Sequence, residues 1–281
     1  MRLARYEFDG KTCLGVVEGT EIVEAAAGAA DWSEWFGFSD TARSRLTEAR
    51  AGARRLPLSE VRLLTPLAKP GKIVCLGLNY YDHAAEGGNA KPEYPAFFFR
   101  GATSLLAAQA PIQRPRCSDK LDYEAELAVI IGKRVRHASR AGALDCVAGY
   151  ACFNDASVRD YQRKTAQWTI GKNFDATGAF GPWIVTPDAL PAGAAGLRIQ
   201  SRLNGQVMQD SNTKHMIWDV AETIALLTEC LTLEPGDVIA MGTPAGVGYP
   251  RTPPVFMKPG DRIEIDIEGV GVLSNPVVDE P

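Results

Sequence analysis

The stretch Leu121-Asp122-Tyr123-Glu124-Ala125-Glu126-Leu127 concentrates side chains that could do chemistry. In an extended strand successive side chains point to opposite faces. Asp122, Glu124 and Glu126 therefore share one face, and Leu121, Tyr123, Ala125 and Leu127 the other. The run continues as Ala128-Val129-Ile130-Ile131-Gly132, too apolar for a strand with a wet face, so it should enter a core. Three carboxylates beside a core repel one another and lose hydration. A hard divalent cation, which prefers oxygen ligands, is the simplest remedy. A strand with a solvated acidic face would show the same alternation. Asp261-Arg262-Ile263-Glu264-Ile265-Asp266-Ile267-Glu268 reads that way, because Arg262 dilutes its charge and a Gly/Ser/Asn/Pro segment follows.

Three further segments bear on the same chemistry. In Gly77-Leu78-Asn79-Tyr80-Tyr81-Asp82-His83-Ala84-Ala85-Glu86, His83 and Glu86 stand one helical turn apart. The carboxylate could hold one ring nitrogen while the other faces substrate or water, which suits a general base. A surface histidine with a chance neighbour is the plainer alternative, and Gly87-Gly88 could serve as a hinge. Asp155 ends the apolar run Val147 to Phe153, as a ligand or as a helix N-cap. Lys172 follows Trp168 and Gly171, either as a buried ammonium facing the carboxylates or as a solvated lysine. Met241-Gly242-Thr243-Pro244-Ala245-Gly246-Val247-Gly248 lacks the Gly-Lys-Ser/Thr ending of a nucleotide loop. Its backbone N–H groups and the Thr243 hydroxyl could meet a small anion, or it is a plain turn.

The elements that would carry these residues indicate a β-rich α+β chain. Residues 2–24 read as short strands broken at Asp9-Gly10-Lys11 and Glu18-Gly19-Thr20, and 39–55 as helical. Leu56-Pro57 punctuates the chain, predicting a small domain over 1–60 and a second over 61–281. Strands are predicted at 72–78, 95–100, 121–131, 147–154, 181–186, 197–204, 237–241 and 262–268. One helix follows Asn212-Thr213, with Ile217, Val220, Ile224 and Leu227 at helical spacing. The net charge of −4 argues against a nucleic-acid partner, and no apolar run is long enough to span a bilayer. The six cysteines have no zinc-ligand spacing, so a reduced, cytoplasmic compartment is the expectation. Three histidines leave no material for a multi-histidine metal centre.

Taken together, Gly-x-Asn-Tyr-x-x-His-x-x-Glu at 77–86, Asp-x-Glu-x-Glu at 122–126 and Asn-Asp-x-Ser-x-Arg-Asp at 154–160 resemble the fumarylacetoacetate hydrolase superfamily. Gly-Lys-x-Phe-Asp at 171–175 and Gly-Thr-Pro-x-Gly-Val-Gly at 242–248 follow in the same order, and the resemblance spans about residues 62–278. It implies a mixed β-roll catalytic domain behind a small β-containing N-terminal domain. It implies Glu124, Glu126 and Asp155 as ligands of Mg²⁺ or Mn²⁺, with Ca²⁺ a third candidate, and Asp122 just behind them. His83 and Glu86 would be the base dyad on a lid, mobile from Tyr81 to about Glu93 until substrate binds. Lys172 and Thr243 would contact the substrate's carboxylate and oxo groups, with Arg159 and Gln162 in the pocket wall.

The reaction so implied is hydrolysis of an acylpyruvate-type 2,4-dioxo acid to pyruvate and a carboxylic acid through an enolate, as in aromatic or sugar-acid catabolism. Decarboxylation or isomerisation of an oxo-dicarboxylate, of the oxaloacetate or 2-hydroxyhepta-2,4-diene-1,7-dioate type, would use the same intermediate. A non-enzymatic metal-binding protein would need no base beside its ion, so His83 and Glu86 argue against it. The resemblance also implies a homodimer. One departure stands out: Phe97-Phe98-Phe99-Arg100-Gly101 replaces the family's Phe-x-Lys-Pro, so Arg100 either grips a substrate carboxylate or is structural.

Overall fold

The computed structural model describes residues 1–27, 32, 46–48, 52–86 and 92–281. Turn chemistry sets the first elements. Asp9 and Gly10 both take positive φ, which matches the twist of a two-residue hairpin. That turn joins β1 (Arg2–Phe8) to β2 (Lys11–Glu18), and β3 (Glu21–Ala27) follows in an antiparallel meander. β4 (Arg55–Pro57) pairs with β3, and β5 (Arg62–Leu63) with β1. Next come β6 (Ile73–Gly77), helix α1 (Tyr81–Glu86), β7 (Ala96–Arg100), β8 (Leu105–Leu106) and β9 (Ile112–Arg114). The acidic stretch supplies β10 (Leu121–Asp122) and β11 (Ala125–Ile131). After these run β12 (Val147–Asp155), β13 (Ser157–Val158), α2 (Arg159–Gln162) and β14 (Gly178–Val185). The chain closes with β15 (Arg198–Leu203), β16 (Gln206–Asn212), α3 (Val220–Cys230), β17 (Val238–Ala240), β18 (Arg262–Ile267) and β19 (Gly271–Asp279).

Among the described residues, twelve strands form one mixed sheet in the order β4-β3-β2-β1-β14-β12-β11-β17-β6-β7, with β5 and β8 attached at β1 and β14. The N-terminal meander is continuous with this sheet, because β1 pairs antiparallel with β14. A second sheet, β16-β15-β18-β19-β9, packs across it. Leu127, Val129 and Ile131 of β11 meet Ile199, Ile263, Ile265 and Ile267 between the two layers. The other face of β11, Ala128 and Ile130, packs with Leu3, Phe153 and Ile184. β11 is thus buried on both faces, as its unbroken apolar run requires. β18 has the contrasting pattern: its isoleucines face the core while Glu264 and Asp266 pair with Arg202.

The sequence reading departs from the structure at four places. Residues 121–131 are not one strand, since Tyr123 and Glu124 lie between β10 and β11 and the Glu124 N–H bonds the Asn154 side chain at 3.0 Å. The helix predicted after Thr213 begins only at Asp219, whose carboxylate caps the Glu222 N–H at 2.8 Å. The Gly/Ser/Asn/Pro segment after β18 is itself strand β19. Of the helix predicted over 39–55, residues 46–48 are helical, 39–45 and 49–51 lie outside the described residues, and β4 begins at Arg55.

Candidate active site and metal centre

The break between β10 and β11 is what builds the site. β10 pairs with β13 while β11 pairs with β12, so Glu124 sits where two ladders diverge. Asp155, at the end of β12, donates its N–H to the Glu124 carbonyl at 3.0 Å. Oxygens of Glu124, Glu126 and Asp155 consequently lie within 4.8 Å of one another, and all three side chains are buried. Glu126 accepts from the Gly242 N–H at 2.8 Å, and no cationic side chain among the described residues reaches ion-pair distance of it. Burial, with the Asp155 and Glu124 charges, holds the Glu126 carboxyl well above the ordinary carboxylate range. Glu124 moves the other way, to about 2: burial opposes its ionisation, and the Lys172 and Arg159 charges overcome that. Three buried oxygen donors, one without a counter-cation, suit a hard divalent ion.

Cationic groups brace the cluster from behind. Lys172 Nζ lies 2.6 Å from Glu124 and 2.5 Å from Asp155. Burial disfavours this ammonium, but the Asp155 and Glu124 carboxylates outweigh it, and its pKa is raised. Arg159 binds Asp122 through Nε at 2.8 Å and Glu124 through Nη1 at 2.7 Å, while its buried Nη2 has no hydrogen-bond partner. Asp122 is not part of the triad. It also accepts from the Gly248 and Tyr249 N–H groups, at 2.8 and 3.0 Å. Of the two roles left open for Arg100, a grip on substrate and a structural one, its position matches the structural one. Its guanidinium is fully buried and binds Asp155, Ser104, Thr177 and the Ala156 carbonyl, so it stands behind Asp155 and not on the cavity wall.

α1 brings the proposed base to the same place. His83 Nδ1 lies 3.5 Å from Glu86 Oε2, and Glu86 accepts from the Gly246 N–H at 3.0 Å. Asn79 anchors the turn before α1, bonding the Trp218 and Met241 carbonyls and the Trp218 N–H. Leu78 holds a positive φ of 57° on the cavity wall, an unusual conformation for a bulky residue near a site. α1 is already helical here, and residues 87–91 lie outside the described set.

The 242–248 turn serves the protein's own carboxylates. Its Gly242, Gly246 and Gly248 N–H groups go to Glu126 of the acidic triad, to Glu86 beside His83 and to Asp122 beneath Arg159. A Cβ on Gly248 would meet the Val255 carbonyl at 1.7 Å, so only glycine fits. Gln209 joins the turn to β11, donating to Thr243 at 2.7 Å and accepting the Ala125 N–H at 3.0 Å. Gln209 had no sequence signal, being an ordinary amide in a strand joined to the site only by the fold, and Asn154 stood in the 154–160 motif with no role of its own.

His83, Glu86, Glu124, Glu126, Lys172 and Thr243 line one cavity of about 120 Å³ with an open mouth. Arg159 and Gln162 continue its wall, while Asp155 lies one layer deeper. No helix among the described residues is long and apolar enough to cross a membrane.

Comparison with known proteins places this geometry. The family described as fumarylacetoacetate (FAA) hydrolase C-terminal matches residues 72–278, and one described as Rv2993c-like, N-terminal, matches 1–66. The mitochondrial oxaloacetate tautomerase FAHD2A of Bos taurus is 43% identical over 225 residues, 79% of this chain and 71% of that protein. The fumarylacetoacetate hydrolase of Exiguobacterium antarcticum superposes with a TM-score of 0.87 at 36% identity, covering all of both chains. Maleylpyruvate hydrolase from Sphingobium sp. SYK-6, solved with manganese(II) and pyruvate, gives 0.84 at 35% identity with the same coverage.

Proposed function

This chain belongs to the fumarylacetoacetate hydrolase family, and from that premise we propose that it moves a proton on a small 2-oxo acid held at a divalent cation. Glu124, Glu126 and Asp155 would hold the ion. The observation that carries the reading is the His83–Glu86 pair sharing one cavity with that acid cluster and with Lys172. Mg²⁺ or Mn²⁺ bound there would polarise the acid's oxygens and make the adjoining carbon more acidic. Glu86, itself fixed by the Gly246 N–H, stands 3.5 Å from Nδ1, which has no hydrogen-bond partner, and on closing would orient the imidazole there and leave Nε2 to the reacting proton. Lys172 lines the cavity with its ammonium held by Glu124 and Asp155, and its positive charge would favour negative charge developing on the bound acid. Phe98, Trp168 and Val247 on the wall keep bulk water from the reacting atoms.

With a 2,4-dioxo acid, His83 takes a proton from a water that attacks the distal carbonyl, and pyruvate and a carboxylic acid leave. The manganese and pyruvate complex of the maleylpyruvate hydrolase relative supports this reading. A second reading, keto–enol tautomerisation of oxaloacetate, is favoured by the 43% identical tautomerase. There His83 would shuttle the C3 proton and no water would be consumed. One panel tests both: acylpyruvates with coupled detection of pyruvate, and oxaloacetate followed by the loss of enol absorbance, each with Mg²⁺ and Mn²⁺. Turnover no faster than metal alone on every substrate would refute the proposal.

A further inference from the structure

The cavity mouth carries a second positive pole that the chemistry above does not use. Tyr249, held by its N–H to Asp122, has two guanidinium groups over its ring: Arg159 at 5.8 Å from the centroid and Arg163 at 3.9 Å. Arg159 is neutralised by Asp122 and Glu124, yet its buried Nη2 makes no hydrogen bond on this wall. Arg163, one residue beyond α2, is exposed and lines the cavity, with no carboxylate at ion-pair distance among the described residues. Two like charges gathered on one ring, only one of them compensated, form a site lacking its anion.

The donors say which anion. Arg163 is the arginine of this wall without a carboxylate partner among the described residues, and the nearest unused donor beside it is Arg159 Nη2. Guanidinium forks of this kind match the planar oxygens of a carboxylate. We propose that Arg163, stacked on Tyr249 and assisted by Arg159 Nη2, receives a second carboxylate at the far end of the substrate, so that the enzyme selects oxo-dicarboxylates over oxo-monocarboxylates. This rests on the functional reading above and narrows its substrate class. It applies to oxaloacetate and to acylpyruvates whose acyl tail ends in a carboxylate. An Arg at this point suits a planar carboxylate better than a lysine would, because its fork donates two parallel hydrogen bonds.

Two ligands of equal chain length isolate the second carboxylate: 2-oxoglutarate and 2-oxopentanoate. Their affinities are measured by calorimetry on Mn²⁺-loaded protein, wild type against Arg163→Gln. The wild type should prefer the dicarboxylate by about 10- to 100-fold, the contribution of a charge-assisted hydrogen bond. In Arg163→Gln that preference should collapse, and Arg163→Lys should restore part of it. Equal binding of the two acids by the wild type, or an unchanged preference in Arg163→Gln, overturns the inference while leaving the functional reading intact. Failure of the wild type to bind either acid overturns both. Arg163 is a surface residue, so loss of fold does not confuse the comparison.

Discussion

Glu126 is the residue whose surroundings are least reconciled with its charge. Its carboxyl is raised above the ordinary 4.5 by burial and by Asp155 and Glu124. For an acid raised on folding, ionisation works against the folded state, and the penalty grows as pH climbs from the unfolded value toward the folded one. Glu126→Gln should therefore raise Tm in chelator-treated protein at about pH 8, with the gain fading toward about pH 5, while abolishing Mn²⁺ binding measured by calorimetry. Unaltered Mn²⁺ affinity in this variant would remove Glu126 from the ligand set. His83 makes a kinetic prediction instead. His83→Ala should keep Mn²⁺ affinity and lose ~10²–10⁴-fold in kcat, and comparing acylpyruvate hydrolysis with oxaloacetate tautomerisation shows which proton it handles. An equal rate on both substrates would leave the imidazole without a role.

At the level of elements, the turn from β6 into α1 hangs on Asn79. Asn79→Ala leaves the Trp218 N–H and the Met241 carbonyl buried without their partner, which should cost about 2–3 kcal/mol in denaturant unfolding. A loss under about 0.5 kcal/mol would show that water replaces the amide. α1 packs little of itself: Ala84 is its one buried side chain, and Glu86 latches it to the 242–248 turn. Oxalate with Mn²⁺ should slow hydrogen exchange across residues 81–86, and equal exchange with and without the ligand would refute a closing lid. Much of this element set was legible in the chain. Unbroken apolar runs located β11 and β12, a period-two pattern located β18, and the glycine turns bounded β1 to β3, because two-sided burial, one-sided burial and local sterics dictate each in turn. The acidic stretch did not show its break at Tyr123-Glu124, since what diverts it is Asn154, thirty residues on. The two roles open for Arg100 were inseparable for a similar reason: an arginine near motif residues could grip a ligand or brace the fold, and only the fold turns it behind Asp155.

For the whole molecule, the open edges are the unfinished part. β7 ends the large sheet with Phe99 exposed, and β16 ends the smaller one with Val207 exposed. Unpaired edges invite a partner, and the protein should be a homodimer in solution. Light scattering showing a stable monomer at micromolar concentration would contradict this. The 242–248 turn has a wider consequence for anyone wishing to redesign the enzyme. One short segment is the common datum from which Glu126, Glu86 and Asp122 are all positioned, so lengthening or shortening it would put the acidic triad, the His83 partner and the arginine brace out of alignment at once. Arg163 stands at the mouth, stacked on Tyr249, and has no carboxylate of that frame at ion-pair distance. Substrate preference should therefore be open to directed change at Arg163 through its side chain alone, with the frame behind it left as a fixed chassis.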